Sequence, residues 1–317
     1  MKKILFTRKL IKASEEYASR LFKVKFNVAD ILLSKEEIIN KSNDCDGIIS
    51  TITDFIDDDI ISKLSKRIKI ISNFGVGFSN IDITAANKRN IIVTNTPDVL
   101  TAATAEIAVL IILGAARRAT EGINYARNKN WRWSSSFLIG KELNNARLGI
   151  LGMGRIGRAV AERARSFGMK IHYHNRARLS SDLEKDSIYH DNIKSLFSVS
   201  DFLSINCAST VETKHIINKR TLNYFPKGAV IANSARGEII EDDSMIAALK
   251  SGQIFSLGLD VYNNEPNIHP GYLSLSNVFI LPHLGSATYT TRKAMSDLAI
   301  NNLREFFEKG RCQNSVN

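Results

Sequence analysis

The chain has 317 residues, 44% of them hydrophobic, and a formal net charge of +11. That length is comfortable for two domains, and the apolar fraction suffices for two cores. The basic residues are scattered, with neither a basic tail nor a stretch interleaved with aromatics, which argues against nucleic acid as a partner, while the field they create would steer small anions.

The first predicted element is a strand around Ile4-Leu5-Phe6, and no signal-peptide cleavage region follows it. Further buried strands are expected at Val24-Lys25-Phe26, Gly47-Ile48-Ile49, Ile68-Lys69-Ile70-Ile71 and Ile91-Ile92-Val93, with polar helices between them. Ser34 and Glu37 have the spacing of a capping box. Such alternation predicts a doubly wound parallel sheet. After Pro97 comes a helix from Thr101 to about Arg117 that is apolar nearly all round and must be covered, between domains or at a subunit contact. Its apolar core, Ile107 to Ala116, is too short to span a bilayer, so no membrane partner is expected. Trp131 and Trp133 lie in a polar stretch, an arrangement common at interfaces. Cys45, Cys207 and Cys312 show neither CxxC nor metal spacing, so no metal is expected and a reducing cytoplasm is the predicted location.

From Leu148 the chain runs Leu-Gly-Ile-Leu-Gly-Met-Gly-Arg-Ile-Gly, an apolar strand leading straight into Gly-x-Gly-x-x-Gly, with helical spacing from Ile156 to Phe167. Gly152 permits the tight turn, Gly154 lets the backbone approach a pyrophosphate, and Gly157 lets helix and strand pack closely. The free amides of the helix start attract the phosphates. This pattern predicts a dinucleotide site. The helix is expected to end at Gly168, and a second strand, Lys170 to His174, leads to Asn175-Arg176 and Arg178. An NAD-specific site usually carries an acid there for the ribose hydroxyls. Asn175 in its place, with Arg176 and Arg178 able to fork onto a 2′-phosphate, points to NADPH, with NADH second.

Three later strands each end on a chemically useful residue: Ala229 to Asn233 leads to Arg236, Leu257 to Tyr262 precedes Glu265, and Val278 to Leu281 leads to His283. Carboxyl ends of parallel strands are where open α/β sheets bind ligands. The last element is an amphipathic helix from Thr288 to Lys309. The predicted architecture is two doubly wound parallel-sheet α/β domains. A flavodoxin-like substrate domain covers residues 1–98 and 287–317, and a Rossmann dinucleotide-binding domain covers 99–286. The cleft between them is expected to hold nicotinamide and substrate.

With these stretches in place, the chain resembles the D-isomer-specific 2-hydroxyacid dehydrogenases over nearly its whole length, above all their glyoxylate/hydroxypyruvate reductase branch. Phe74 to Asp82, Thr96 to Thr101, the glycine motif, Asn233 to Gly237, Asp260-Val261 and Pro282 to Ser286 carry the resemblance. It implies reduction of a small 2-keto acid. His283 would be the general acid, Glu265 would favour its imidazolium, and Arg236 would bridge the substrate carboxylate and polarise the carbonyl. The backbone amides of Val76 and Gly77 would clamp the carboxylate. Cofactor contacts carry over to Thr104, Met153, Arg155, Ile156 and Thr213, and to Ser234, Ala235 and Gly285, with Asp260 holding the nicotinamide carboxamide. Cys207, in the segment Asn206 to Thr210, stands on the adenine side where many relatives have a proline after the strand. A homodimer is also implied.

Several readings stay open within the family. Glu265 speaks against the formate dehydrogenases, which carry an amide there. The chain ends after its last helix, without the regulatory domain of many phosphoglycerate dehydrogenases. Short phosphoglycerate forms, 2-ketogluconate-type reductases and a dinucleotide-sensing corepressor remain alternatives. The loop Thr51-Ile52-Thr53 and the Trp131 region would set the choice of keto acid.

Overall fold

The computed structural model describes residues 1–129 and 131–317. The chain divides into two compact units, Met1–Leu100 with Ala287–Asn317, and Thr101–Ser286.

The first unit runs β1 (Lys3–Phe6), α1 (Lys12–Leu21), β2 (Lys23–Lys25), α2 (Lys35–Ser42), β3 (Gly47–Thr51), α3 (Asp58–Lys63), β4 (Ile70–Phe74), α4 (Ile83–Lys88) and β5 (Ile92–Thr94). The second contains α5 (Thr101–Ala116), α6 (Ala119–Arg127), β6 (Arg147–Leu151), α7 (Arg155–Ser166), β7 (Lys170–His174), α8 (Ser181–Glu184) and β8 (Ile188–Tyr189). It continues with α9 (Ile193–Val199), β9 (Phe202–Ile205), α10 (Lys219–Leu222), β10 (Ala229–Asn233) and α11 (Asp242–Ser251). Its last elements are β11 (Ile254–Leu259), α12 (Pro270–Leu273) and β12 (Val278–Ile280), after which α13 (Tyr289–Lys309) returns to the first unit.

In the first unit the sheet order is β2-β1-β3-β4-β5, all parallel, the flavodoxin-like arrangement. Alternate residues of one strand serve different cores, because both faces of a parallel sheet are covered. Leu5, Ile48, Ile71 and Val93 pack with Ile38, Ile60 and Ala86 of α2, α3 and α4. Ile4, Phe6, Ile49 and Ile70 pack with Ala18 of α1 and with Ala299, Ile300 and Leu303 of α13. The capping box is formed: the Glu37 amide donates to Ser34 Oγ and the Ser34 amide to Glu37 Oε2. Strands β4 and β5 begin later than the apolar pattern predicts, at Ile70 and Ile92; the Ile91 amide is still bonded to the Ala86 carbonyl of α4.

The second unit has a seven-stranded parallel sheet in the order β12-β11-β10-β9-β6-β7-β8. Strand β6 lies between β7 and β9, so successive connections leave it in opposite directions. This is the switch point at which open α/β sheets bind ligands. Leu148, Ile150, Phe202 and Val230 face α5 and α7, while Leu151, Leu203, Ile231 and Leu257 face the layer containing α9 to α11. Helix α7 ends in a Schellman motif: Gly168 takes φ +74°, its amide donates to the Arg165 carbonyl, and the Met169 amide to that of Ala164.

Helix α5 packs so tightly on the sheet that a Cβ on Gly258 would come within 2.4 Å of the Ile111 carbonyl oxygen. It is not covered all round by the described residues, however. Glu106 is exposed, and Leu110 is 44% exposed. Trp131, Trp133 and Ile139 are exposed as well.

Candidate active site

At the switch point β6 ends on Leu151 and the chain turns at Gly152 with φ +95°. No other residue fits there, because a Cβ would stand 2.5 Å from the backbone nitrogen of Cys207. A Cβ on Gly157 would lie 2.3 Å from the Gly152 carbonyl oxygen, so the first turn of α7 sits directly on the loop. At Gly154, in contrast, a Cβ would meet nothing within 4 Å. Gly154 is the N-cap of α7 and contributes no side-chain cap, so the first-turn amides face this open space with the positive end of the helix dipole. The cradle fits a pyrophosphate. Beside it, Met153 is buried, Ile156 is half-buried and Arg155 is exposed.

Strand β7 delivers Asn175 to the same loop, where its Oδ1 accepts the Met153 amide at 2.6 Å. Arg176 is exposed. Arg178 does not extend toward a ligand as its sequence position suggested. Its Nε donates to both oxygens of Glu184, at 3.1 and 3.0 Å, and its guanidinium lies over the Tyr189 ring. Of the two arginines, Arg176 is the one without a hydrogen bond or ion pair to the described residues. After β9, burial pushes the Cys207 thiol up to about 11, so it packs as an inert apolar group. Thr213 Oγ1 donates to the Ala208 carbonyl at 2.7 Å and closes that loop.

Three neighbouring strands bring the other predicted residues together. Asn233, the last residue of β10, accepts the Ala235 amide on Oδ1 and donates from Nδ2 to the Arg236 carbonyl. This fixes the turn carrying Ser234, Ala235 and Arg236. The next residue, Gly237, passes so close to the β11 loop that a Cβ would fall 2.0 Å from the carbonyl carbon of Tyr262. Burial lowers the Arg236 pKa, with Glu265 opposing it, yet a guanidinium stays protonated at any working pH.

His283 Nδ1 and Glu265 Oε2 are 2.6 Å apart, both side chains half-buried. Burial alone would raise the Glu265 carboxyl. The hydrogen bond and charge of His283, the Tyr262 amide and Arg236 outweigh it and hold the group below its ordinary value. Glu265 is therefore a carboxylate that accepts only, Nδ1 carries the proton, and Nε2 is left for another partner. Asp260 is almost completely buried, 1% exposed, and burial raises its pKa against the Leu284 and Gly285 amides and His283. The Leu284 amide donates to its Oδ1 at 2.6 Å and the Gly285 amide to its Oδ2 at 2.8 Å. Thr104, buried on α5, donates to the Gly285 carbonyl at 3.1 Å.

In the first unit, Val76 and Gly77 follow β4. The Gly75 carbonyl accepts the Thr96 amide, and the Val76 carbonyl accepts Asn95 Nδ2 at 2.8 Å. In trans peptides the N–H points opposite the carbonyl, so these bonds turn the Val76 and Gly77 amides to the other side.

Tyr262 escaped the sequence reading. Its hydroxyl donates to the Leu281 carbonyl at 2.6 Å while its amide donates to Glu265 Oε1 at 3.0 Å. No spacing rule announces such a bond between loops. Among the described residues, no group of three or more His, Cys, Asp or Glu side chains could hold a metal ion.

Comparison with known proteins matches residues 109–285 to the sequence profile of the D-isomer specific 2-hydroxyacid dehydrogenase NAD binding domain. A glycerate dehydrogenase of Hyphomicrobium methylovorum is 40% identical over 301 residues, covering 94% of each chain. A glyoxylate reductase of Thermococcus kodakarensis is 36% identical, covering 96% of this chain and 92% of its own. Among solved structures, an NADPH-dependent glyoxylate/hydroxypyruvate reductase of Sinorhizobium meliloti, in complex with NADP and malonate, superposes with a TM-score of 0.89. It is 30% identical and covers 99% of this chain and 96% of its own.

The glycine turn yields a direct test. Gly152→Ala forces a left-handed residue against Cys207, a strain of about 1–3 kcal/mol. Dinucleotide affinity, read by fluorescence titration, should fall roughly ten- to a hundredfold. Unchanged affinity in the folded variant would show that this turn does not shape the cradle.

Proposed function

The chain belongs to the D-isomer-specific 2-hydroxyacid dehydrogenase family, and on that premise we propose that it reduces glyoxylate or hydroxypyruvate to the D-2-hydroxy acid with NADPH. The observation that carries this reading is the 2.6 Å contact between His283 and Glu265, beside Arg236 at the ends of adjacent strands. The relatives named as glyoxylate reductase, glycerate dehydrogenase and NADPH-dependent glyoxylate/hydroxypyruvate reductase support the choice of substrate and cofactor.

The bound dinucleotide supplies the hydride. His283 gives its Nε2 proton to the carbonyl oxygen as negative charge develops there. Glu265 stabilises the imidazolium and fixes the ring through Nδ1. Arg236 pairs with the substrate carboxylate and polarises the carbonyl. In the first unit, the Val76 and Gly77 amides are the further donors that the family resemblance assigns to a carboxylate. Gly154, Arg155 and Ile156 would hold the dinucleotide phosphates. Asn175, Arg176, Cys207 and Thr213 would hold its adenine end, and Thr104, Ser234, Ala235, Asp260 and Gly285 its nicotinamide end.

His283→Ala should cut turnover by ~10² to 10⁴, the share of a general acid; a folded variant that turns over like the wild type ends the assignment. Glu265 is held below its ordinary value, so it stays ionised throughout a neutral assay, and its attraction to the imidazolium is mutual. Glu265→Gln removes that attraction, so the rate of keto-acid reduction should begin to fall at a lower pH than in the wild type. An unmoved profile contradicts the pairing.

The choice of NADPH rests on Arg176. Because this side chain is exposed, its contact with a 2′-phosphate stands at the low end for a charged hydrogen bond, about 1.5 kcal/mol or roughly tenfold. In Asn175→Asp with Arg176→Ala, the carboxylate keeps one oxygen for the Met153 amide and offers the other to the ribose hydroxyls. Steady-state kinetics should show about a tenfold preference for NADPH in the wild type and reversal in the variant. Equal efficiency with both cofactors in the wild type refutes the reading.

We also propose a homodimer built on the exposed edge of α5 and the Trp131–Ile139 stretch, acting in the cytoplasm. Large exposed apolar side chains such as Leu110, Trp131, Trp133 and Ile139 are typical of a surface that a partner covers. Light scattering at micromolar concentration should give twice 35.3 kDa; a monomer mass refutes it. No helix among the described residues is long and apolar enough to cross a membrane.

A further inference from the structure

His283 has φ +56°, in the left-handed region. A residue with a Cβ costs about 1–2 kcal/mol there, and such a conformation persists only where its surroundings over-determine it. The backbone on both sides of His283 is tied down. Two residues before it, the Leu281 carbonyl accepts the Tyr262 hydroxyl at 2.6 Å, and the Leu281 amide donates to the Leu259 carbonyl at 2.8 Å. Immediately after it, the Leu284 and Gly285 amides converge on the two oxygens of Asp260, at 2.6 and 2.8 Å. Asp260 is itself anchored, its amide donating to the Asn233 carbonyl at 3.0 Å. The Gly285 carbonyl is taken by Thr104 Oγ1 at 3.1 Å. One buried carboxylate therefore grips two successive peptide groups next to the His283 Cα.

We propose that Asp260 is a positioning residue, whose carboxylate clamps the Leu284 and Gly285 amides so that the left-handed backbone at His283 presents its imidazole to Glu265 on one side and to the substrate on the other. This rests on His283 being the proton donor. It gives Asp260 work beyond a contact with the cofactor, because each oxygen already accepts a short amide bond. An isolated left-handed His would relax toward ordinary backbone angles and carry its ring out of line. A misplacement of about 1 Å at a reacting group costs on the order of 10²-fold in rate.

Asp260→Asn is the sharpest probe. The substituted amide cannot accept through its nitrogen, so one of the two backbone N–H groups faces a donor, while size and burial stay the same. In the full-length enzyme with NADPH and glyoxylate, kcat should fall roughly 10- to 100-fold. The KM for glyoxylate should stay within about threefold, and any loss of NADPH affinity should be smaller than the loss of kcat. Combined with His283→Ala, Asp260→Asn should slow the enzyme no further than His283→Ala alone, because both changes act through one imidazole. A crystal structure of Asp260→Asn should show residues 283–285 displaced and the His283 φ changed. That structure reads the clamp even if His283→Ala turns over normally, so failure of the proton-donor assignment is told apart from failure of the clamp.

An unchanged kcat, a multiplicative loss in the double variant, or an unmoved His283 overturns the proposal. A loss of NADPH affinity of tenfold or more with kcat preserved also overturns it, in favour of a cofactor contact alone. If Asp260→Asn does not fold, Thr104→Val tests the same turn from the other side, with kcat expected to drop about three- to tenfold at constant glyoxylate KM. No drop there overturns the clamp as well.

Discussion

The parallel register of β10, β11 and β12 is the constraint on which the site depends. Asn233 pairs with Leu259, and Leu259 with Ile280, so three chains leave the sheet at one level and in one direction. Arg236, Asp260, Glu265 and His283 follow within a few residues of those ends. A slip of one residue would turn every side chain of a strand to the other face. The two buried faces forbid it, since Leu257 and Leu259 fill one core while Gly258 receives α5 on the other side.

Charge at the site is arranged so that no group is buried alone. Taking a carboxylate, a guanidinium and an imidazole out of water costs several kcal/mol apiece unless each finds partners. Glu265 accepts from His283 and the Tyr262 amide, and its charge acts on Arg236. Asp260 accepts two backbone amides instead of a cation. Two carboxylates thus lie close to one imidazole, with one oriented toward its ring and the other toward the backbone that carries it.

Much of this architecture is legible in the amino-acid order. Alternating strand and helix patterns announce two parallel sheets, because strands buried on both faces read as short continuous apolar runs. The glycine motif is legible because two of its glycines answer separate steric demands, Gly152 against Cys207 and Gly157 against Gly152, while Gly154 borders open space. The illegible parts share a cause: they are bonds between loops distant in sequence. Arg178 looks available for a phosphate until α8 brings Glu184 beneath it. Asn175 reads as a ribose contact, yet its carbonyl oxygen holds Met153. The left-handed His283 leaves no trace in composition or spacing, and the Tyr262 and Asp260 bonds that surround it appear only when three strand ends meet.

Helix α13 covers the face of the first sheet formed by Ile4, Phe6, Ile49 and Ile70, and Ser72 Oγ donates to the Ala299 carbonyl across 227 residues of chain. About 195 residues separate the end of β5 from the start of α13. At about 5–20 residues per second of synthesis, that apolar face waits roughly 10–40 s for its cover on the ribosome. The nested unit Thr101–Ser286 is one continuous stretch, so all of its elements have been made before α13 emerges. Its early folding would also shorten the flexible loop that α13 must close. Birth order therefore reverses chain order: the half that starts first is finished last, and during that interval a chaperone would find its substrate.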